Sequence, residues 1–221
     1  MTAFFIEDLV ESLLGPEAVD VSRGARRFIS REVLSAVGPI REAFLSSGKV
    51  KHVALERVLR EGVASAVAAG LKRARFRRHH HAAYRIEISA LDALADSPLR
   101  KFVRWLATDD AARFHGWLAG WPTDGQALHA RQVQVARARR GDEFPVHVDM
   151  DEEGLAAVYN FSEGFDAARD GGELYFPSAK LVLPPIFNTM ILFRPKNAPH
   201  GVSELVGKKT RYSVTAFFSV A

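Results

Sequence analysis

The 221-residue sequence contains no cysteine. A disulfide is therefore excluded, and any metal ion must be bound through His, Asp or Glu side chains. The chain also lacks a run of about 18 consecutive apolar residues, so we expect no transmembrane helix. The first 14 residues are largely apolar, but acidic residues interrupt them and they have no basic start, which argues against a signal peptide. We therefore expect a cytoplasmic protein that does not associate with membranes.

The charge is only weakly one-sided, with 30 Lys and Arg against 26 Asp and Glu and a formal net charge of +4. The basic excess lies in residues 72–78, which precede three consecutive histidines (79–81), and in residues 131–140. Such segments can attract nucleic acid or an acidic substrate. Aromatic side chains for base stacking are sparse there. We therefore interpret the two segments as a solvated turn and the outer face of a strand, place the histidines in a solvated loop, and do not expect nucleic-acid binding.

The two halves of the chain differ in their hydrophobic periodicity. The first half favours helices with one strand at residues 83–91, whereas from about residue 129 short apolar or alternating runs punctuated by Gly, Pro, Asn and Asp favour strands. The predicted helices cover residues 4–14, 30–46 (interrupted at Gly38-Pro39), 52–71, 98–105 and 109–121. We predict a single domain over residues 1–221, in which 1–125 give mainly helical support with one or more strands and 126–221 form the β core carrying the site.

His147 and Asp149 are the most informative residues of the β half. They lie two positions apart on a predicted strand, so their side chains share a face and can bind one ion, and a distant His200 can complete the set. Two imidazoles and one carboxylate on one side of a metal are typical of non-haem Fe(II) oxygenases. Arg211 and Ser213 open the last strand, also on a common face, and a guanidinium pairs well with a carboxylate.

The context of these residues resembles a known family. A turn glycine, Gly141, precedes His147, the segment Gly171-Gly172-Glu173-Leu174-Tyr175-Phe176 follows, and a predicted strand leads to His200. Residues 130–220 thereby resemble the 2-oxoglutarate and Fe(II)-dependent oxygenases, closest to the prolyl 4-hydroxylase-like branch. The resemblance implies an α+β fold, a double-stranded β-helix (a jelly-roll or cupin-like sandwich) with the helices of the N-terminal half packed on one face.

The resemblance also implies roles for individual residues. His147, Asp149 and His200 correspond to the iron ligands, and Arg211 to the partner of the C5 carboxylate of 2-oxoglutarate, with Ser213 adding a hydroxyl. Many relatives carry a Tyr three residues before the turn glycine, where this chain has Ala138. Candidates for the missing donor are Tyr159, Gln132 and Gln134. Lys208 and Lys209 remain alternatives to Arg211.

The activity implied by the resemblance is the hydroxylation of a C–H bond with Fe(II), 2-oxoglutarate and O2, releasing succinate and CO2; ascorbate is a further candidate cofactor. Asp149 favours hydroxylation over halogenation, because halogenating relatives lack this carboxylate. The substrate class is a small amino-acid-like molecule or a peptidyl residue. One alternative is a non-catalytic β-sandwich that binds a partner protein. Another is an oxidative nucleic-acid demethylase, which Phe217 disfavours because that branch usually carries a second Arg at this position of the last strand.

Overall fold

The computed structural model describes residues 23–81, 84–90, 94, 96–121, 127–149 and 152–220. The predicted helix at 4–14 lies outside the described residues. The helices are α1 (Arg31–Ser35), α2 (Val37–Ser46), α3 (Glu61–Arg73), α4 (Pro98–Leu106), α5 (Asp109–Leu118) and the short α6 (Ala167–Asp170), with a 3-10 turn at Pro177–Ala179. Within this part of the chain, no helix combines the length and apolar character needed to cross a membrane.

Local capping explains where the central helices begin. The Ser97 hydroxyl accepts a hydrogen bond from the amide of Arg100 at the start of α4, and Pro98 occupies the first turn, where its missing N–H costs nothing. Thr108 caps α5 in the same way. The predicted interruption at Gly38-Pro39 is wrong, because the break between α1 and α2 falls at Ala36 and Pro39 lies in the first turn of α2.

Two antiparallel sheets form a sandwich, and this confirms the predicted fold class. The larger sheet has the strand order β1-β9-β6-β11-β4-β3-β2 and the smaller one β5-β10-β7-β8. The strands of the larger sheet are β1 (His52–Leu55), β2 (Arg77–His81), β3 (Tyr84–Ser89), β4 (His129–Ala138), β6 (Gly154–Asn160), β9 (Thr189–Phe193) and β11 (Arg211–Ser219). Those of the smaller sheet are β5 (Phe144–His147), β7 (Leu174–Phe176), β8 (Leu181–Leu183) and β10 (His200–Val202).

Two predictions for the first half are corrected. Residues 52–55 were predicted to be helical but form the edge strand β1, paired with β9 in the register His52↔Phe193, and the helix of this region covers only Glu61–Arg73. The histidines at 79–81 belong to the edge strand β2, paired with β3, and not to a loop. In both cases pairing with another strand, the distant β9 for β1 and the neighbouring β3 for β2, overrides the local pattern.

The larger sheet separates two buried layers. On one face it packs against the helices in a large apolar core that includes Phe102, Phe114, Tyr159 and Phe218. On the other face it packs against the smaller sheet in two smaller clusters. Because side chains alternate along a strand, neighbouring residues of β6 and β11 enter different layers. The functional residues lie in the layer between the sheets.

Candidate active site

Two adjacent strands of the smaller sheet bring the three predicted metal ligands together. His147 ends β5, His200 begins β10, and the antiparallel register places the two opposite one another. Asp149 follows two residues after His147, and its carboxylate oxygens lie 3.0 Å from His147 Nε2 and 3.1 Å from His200 Nε2. One ligand atom of each residue lies within 4.8 Å of the ligand atoms of the other two. A single ion can therefore be bound by all three side chains.

Backbone carbonyls orient both imidazoles. His147 Nδ1 lies 2.8 Å from the carbonyl oxygen of Pro145, and His200 Nδ1 lies 2.8 Å from that of Ala198. A carbonyl only accepts hydrogen bonds, so each Nδ1 carries a proton, and each Nε2 is the ring nitrogen that faces Asp149 and would bind the metal. The residues present fit a divalent iron, because two imidazoles and a carboxylate occupy one side of the site as in the facial triad of non-haem iron proteins.

Mutual hydrogen bonding also sets the charges of the ligands. Burial works to raise the pKa of Asp149, but hydrogen bonds from His147 and His200 outweigh it and lower this pKa to about 2. Burial likewise works to lower the pKa of His147, but its contacts with Asp149 and the Pro145 carbonyl outweigh this and raise it. Asp149 is therefore a carboxylate at any physiological pH, as a metal ligand must be.

Arg211 lies in the layer between the sheets at the start of β11. The residue is only 8% exposed. Its Nη2 lies 3.4 Å from the Asn160 side-chain oxygen, and its Nε has no hydrogen-bond partner among the described residues. Burial lowers its pKa to about 10, so it remains charged at neutral pH. A buried cation without a carboxylate partner is costly unless a ligand completes its environment.

The glycine pair of the sequence motif is required by close packing next to Arg211. Both glycines have positive φ angles, +72° for Gly171 and +78° for Gly172. A Cβ on Gly171 would lie 2.1 Å from the carbonyl oxygen of Glu204, and one on Gly172 would lie 3.2 Å from Arg211 Cδ. Side chains at these positions would push the chain away from the guanidinium.

A single cavity between the sheets contains both features. Its lining includes His147, Asp149 and His200 from the smaller sheet and Arg211, Ser213 and Thr215 from the larger one. The cavity can thus hold a metal ion at one wall and an anionic group at the other.

The structure corrects the prediction for Tyr159. In the register of β6 and β11, Tyr159 pairs with Val214 and faces the helices, where its hydroxyl lies 2.7 Å from His115 Nε2. It therefore cannot reach a ligand bound by Arg211. The next residue, Asn160, pairs with Ser213 on the cavity side and contacts Arg211. The sequence did not lead us to predict Asn160 as a site residue. Apart from the Tyr159 hydroxyl, it carries the one polar side chain of an apolar strand.

The other candidates are also placed. Gln134 pairs with Thr215 and lines the cavity, whereas Gln132 is exposed opposite Phe217. Lys208 and Lys209 lie in an exposed turn, and Lys209 Nζ is 3.4 Å from an Asp170 carboxylate oxygen. Arg211 is thus the candidate cation that the structure places in the cavity.

The basic segments are partly neutralised within the protein. Arg78 makes a bidentate ion pair with the buried Asp142 at 2.6 and 3.1 Å. Arg137 and Arg139 both contact Glu87. The predicted solvated turn at residues 72–78 is wrong in part, because Lys72 and Arg73 end α3 and Arg77 and Arg78 begin β2, whereas residues 131–138 do lie on a strand, β4.

Comparison with known proteins identifies relatives of this site. Residues 133–219, which include His147, Asp149, His200 and Arg211, match the family model described as "2OG-Fe(II) oxygenase superfamily". No curated protein matches the chain by sequence.

Solved structures share the fold at low sequence identity. A Pseudomonas putida prolyl-4-hydroxylase superposes with a TM-score of 0.64 at 17% identity, over 83% of this chain and 98% of that chain. A Trichoplax adhaerens prolyl hydroxylase in complex with a hypoxia inducible factor peptide fragment has a TM-score of 0.61 at 15% identity, over 83% and 88%. The α-ketoglutarate-dependent epimerase SnoN from nogalamycin biosynthesis has a TM-score of 0.60 at 14% identity, over 83% and 82%. The fold therefore occurs in proteins with different reactions.

Proposed function

Because residues 133–219 match the 2OG-Fe(II) oxygenase superfamily, we propose that this chain belongs to that superfamily and hydroxylates a C–H bond of an amino-acid-like or peptidyl substrate. The observation that carries the proposal is the pairing of two features in one cavity, namely the His147–Asp149–His200 set and the buried Arg211, whose Nε has no partner among the residues that the structure describes. When bound, Fe(II) and 2-oxoglutarate supply the oxidising power for the reaction with O2, and succinate and CO2 are released.

The protein side chains bind and orient these groups. His147, Asp149 and His200 hold the metal with their Nε2 and carboxylate atoms, in orientations fixed by the Pro145 and Ala198 carbonyls. Arg211 binds the far carboxylate of 2-oxoglutarate, and the Ser213 hydroxyl lines the same part of the cavity. Burial strengthens the attraction between Arg211 and a carboxylate because little water screens it.

A peptidyl substrate is supported by analogy with a structural relative. By analogy, the Trichoplax relative was solved with a peptide fragment bound. Phe217 lines the cavity where nucleic-acid demethylases usually carry a second Arg, and this favours a peptide or amino acid over nucleic acid.

Anaerobic binding tests the proposed cofactors directly. Fe(II) and 2-oxoglutarate added together to the protein without O2 should give a weak visible charge-transfer band, and either component alone should not. A folded protein that gives no band would overturn the proposal.

Replacement of a metal ligand tests the role of the triad. Asp149→Ala should abolish succinate formation, because two imidazoles alone hold Fe(II) weakly and leave its charge uncompensated. Glu152→Ala removes a nearby carboxylate that makes only an exposed 3.8 Å contact with Arg131, and should leave turnover unchanged. Circular dichroism should be the same for both variants. Undiminished turnover by Asp149→Ala would remove this residue from the ligand set.

A further inference from the structure

Behind Arg211 lies a chain of buried hydrogen bonds that ends on the backbone. Asn160 and Thr189 are 0% and 6% exposed. Arg211 Nη2 lies 3.4 Å from Asn160 Oδ1, Asn160 Nδ2 lies 3.1 Å from Thr189 Oγ1, and Thr189 Oγ1 lies 2.7 Å from the carbonyl oxygen of Ile186. The three side chains connect the cavity to the loop before β9.

The direction of these bonds follows from their fixed end. The Ile186 carbonyl can only accept, so the Thr189 hydroxyl donates its one proton there. Thr189 Oγ1 can then only accept from Asn160, which requires the NH2 of the Asn160 amide to face Thr189. The amide oxygen is therefore held toward Arg211, and the Asn160 and Thr189 donors of these two bonds point away from it.

A neutral acceptor has a specific consequence for a buried cation. A carboxylate at this position would orient Arg211 but would also neutralise it and compete with an incoming anion. The Asn160 oxygen orients Nη2 while the full positive charge and the unpartnered Nε stay available. We propose that Asn160, held by Thr189, is a positioning residue that keeps Arg211 oriented and uncompensated for the carboxylate of the co-substrate. This inference rests on the proposed function.

Direct binding of 2-oxoglutarate tests the inference without turnover. Titration of 2-oxoglutarate into the Mn(II)-loaded protein can be followed by calorimetry. Asn160→Asp should weaken binding on the order of 100-fold, because the new carboxylate occupies Arg211. Gln132→Glu makes the same change of charge at an exposed position of β4 and should leave binding within about twofold of the unmodified protein, because solvent screens it.

Thr189 provides a second variant that keeps the charge constant. Thr189→Val removes the acceptor that fixes the Asn160 amide and should weaken 2-oxoglutarate binding roughly 3- to 10-fold. Thr189→Ser keeps the hydroxyl and should bind 2-oxoglutarate as tightly as the unmodified protein. A purely structural role would instead make binding follow the loss of packing, so that Ser, which lacks the methyl group, would weaken binding more than Val.

Thermal melting separates this effect from misfolding. Without 2-oxoglutarate, the Asn160→Asp variant should melt at or above the melting temperature of the unmodified protein. Added 2-oxoglutarate should stabilise the unmodified protein but not the variant. Binding by Asn160→Asp within threefold of the unmodified protein would overturn the inference. If the unmodified Mn(II) protein itself fails to bind 2-oxoglutarate, the proposed function is overturned and the inference falls with it.

Discussion

Two buried polar pairs lie on opposite faces of the larger sheet, and they differ in how their hydrogen bonds are completed. On the helix side, His115 Nδ1 lies 2.6 Å from the Ala111 carbonyl oxygen and Nε2 lies 2.7 Å from the Tyr159 hydroxyl. On the cavity side, the described residues offer Arg211 only the 3.4 Å contact with Asn160 and leave its Nε without a partner. Tyr159 and Asn160 are consecutive residues of one strand, so one step along the chain passes from a satisfied pair to an unsatisfied one.

This difference separates a structural pair from a binding site more clearly than burial does. Both pairs are almost fully buried. An unpartnered donor alone is not sufficient either. In the part of the chain that the structure describes, the neutral Trp105 indole N–H and the Arg194 Nε also lack a partner, and the Arg194 guanidinium lies 5.3 Å from the Trp121 ring. Arg211 combines an unpartnered donor, a full charge and a place in the cavity wall. That combination raises the free energy of the folded protein, and a bound anion would lower it again.

Removing the cation should therefore separate function from stability. Arg211→Leu should raise the KM for 2-oxoglutarate on the order of 1000-fold, because a buried charge partner is lost. The same variant should unfold at the same or a higher temperature, because an uncompensated charge leaves the interior. Steady-state succinate release and thermal melting measure the two effects.

The two neighbouring lysines are the natural controls for Arg211. Lys208→Ala and Lys209→Ala remove exposed cations of the preceding turn and should leave the KM for 2-oxoglutarate unchanged. If one of them reproduces the effect expected for Arg211→Leu, the assignment of the carboxylate partner is wrong.

The strands were predictable where the hydrophobic periodicity of the sequence matched the burial of the two faces of the strand. Strands β4, β9 and β11 lie in the half of the chain that alternating and apolar runs predicted to form strands. The edge strand β1 was not predictable from the sequence. Its four residues, His-Val-Ala-Leu, are too few to show a preference for strand over helix, and its partner β9 lies about 140 residues away in sequence. Its conformation is set by tertiary pairing.

The site was predictable for a related reason. His147, Asp149, His200 and Arg211 are polar residues at strand ends in a recognisable order, and the structure places all four around one cavity. The face occupied by Tyr159 was not predictable, because residues 155–159 are apolar on both sides and give no period-two signal. Only the register of β6 with β11 decides that Asn160, and not Tyr159, faces Arg211.

The pH dependence of the free energy of unfolding should reveal the buried His115 of the helix-side pair. Burial lowers the pKa of His115 from 6.5 to about 4. Between these two values the unfolded chain binds a proton at His115 that the folded protein does not, so protonation favours unfolding as the pH falls. We expect this residue to reduce the free energy of unfolding by roughly 3 kcal/mol as the pH falls from above 6.5 to 4. Denaturant titrations at several pH values measure the slope.

A variant that cannot titrate isolates the contribution of His115. His115→Phe keeps an aromatic ring against Phe218, whose centroid lies 4.7 Å from the imidazole. Its unfolding free energy should depend less on pH between 4 and 6.5 than that of the unmodified protein, whatever its absolute stability. Equal slopes for the two proteins would contradict a buried neutral imidazole.

The smallest expected effect is the most direct test of which face Tyr159 occupies. Tyr159→Phe removes the hydroxyl that donates to His115 Nε2 and should lower the free energy of unfolding by about 1 kcal/mol. The affinity for 2-oxoglutarate should not change, because the sheet lies between this hydroxyl and Arg211. Calorimetric titration of the Mn(II)-loaded variant measures that affinity. A tenfold loss of 2-oxoglutarate binding with unchanged stability would place the Tyr159 hydroxyl in the cavity, and would reverse the assignment of the two faces of β6.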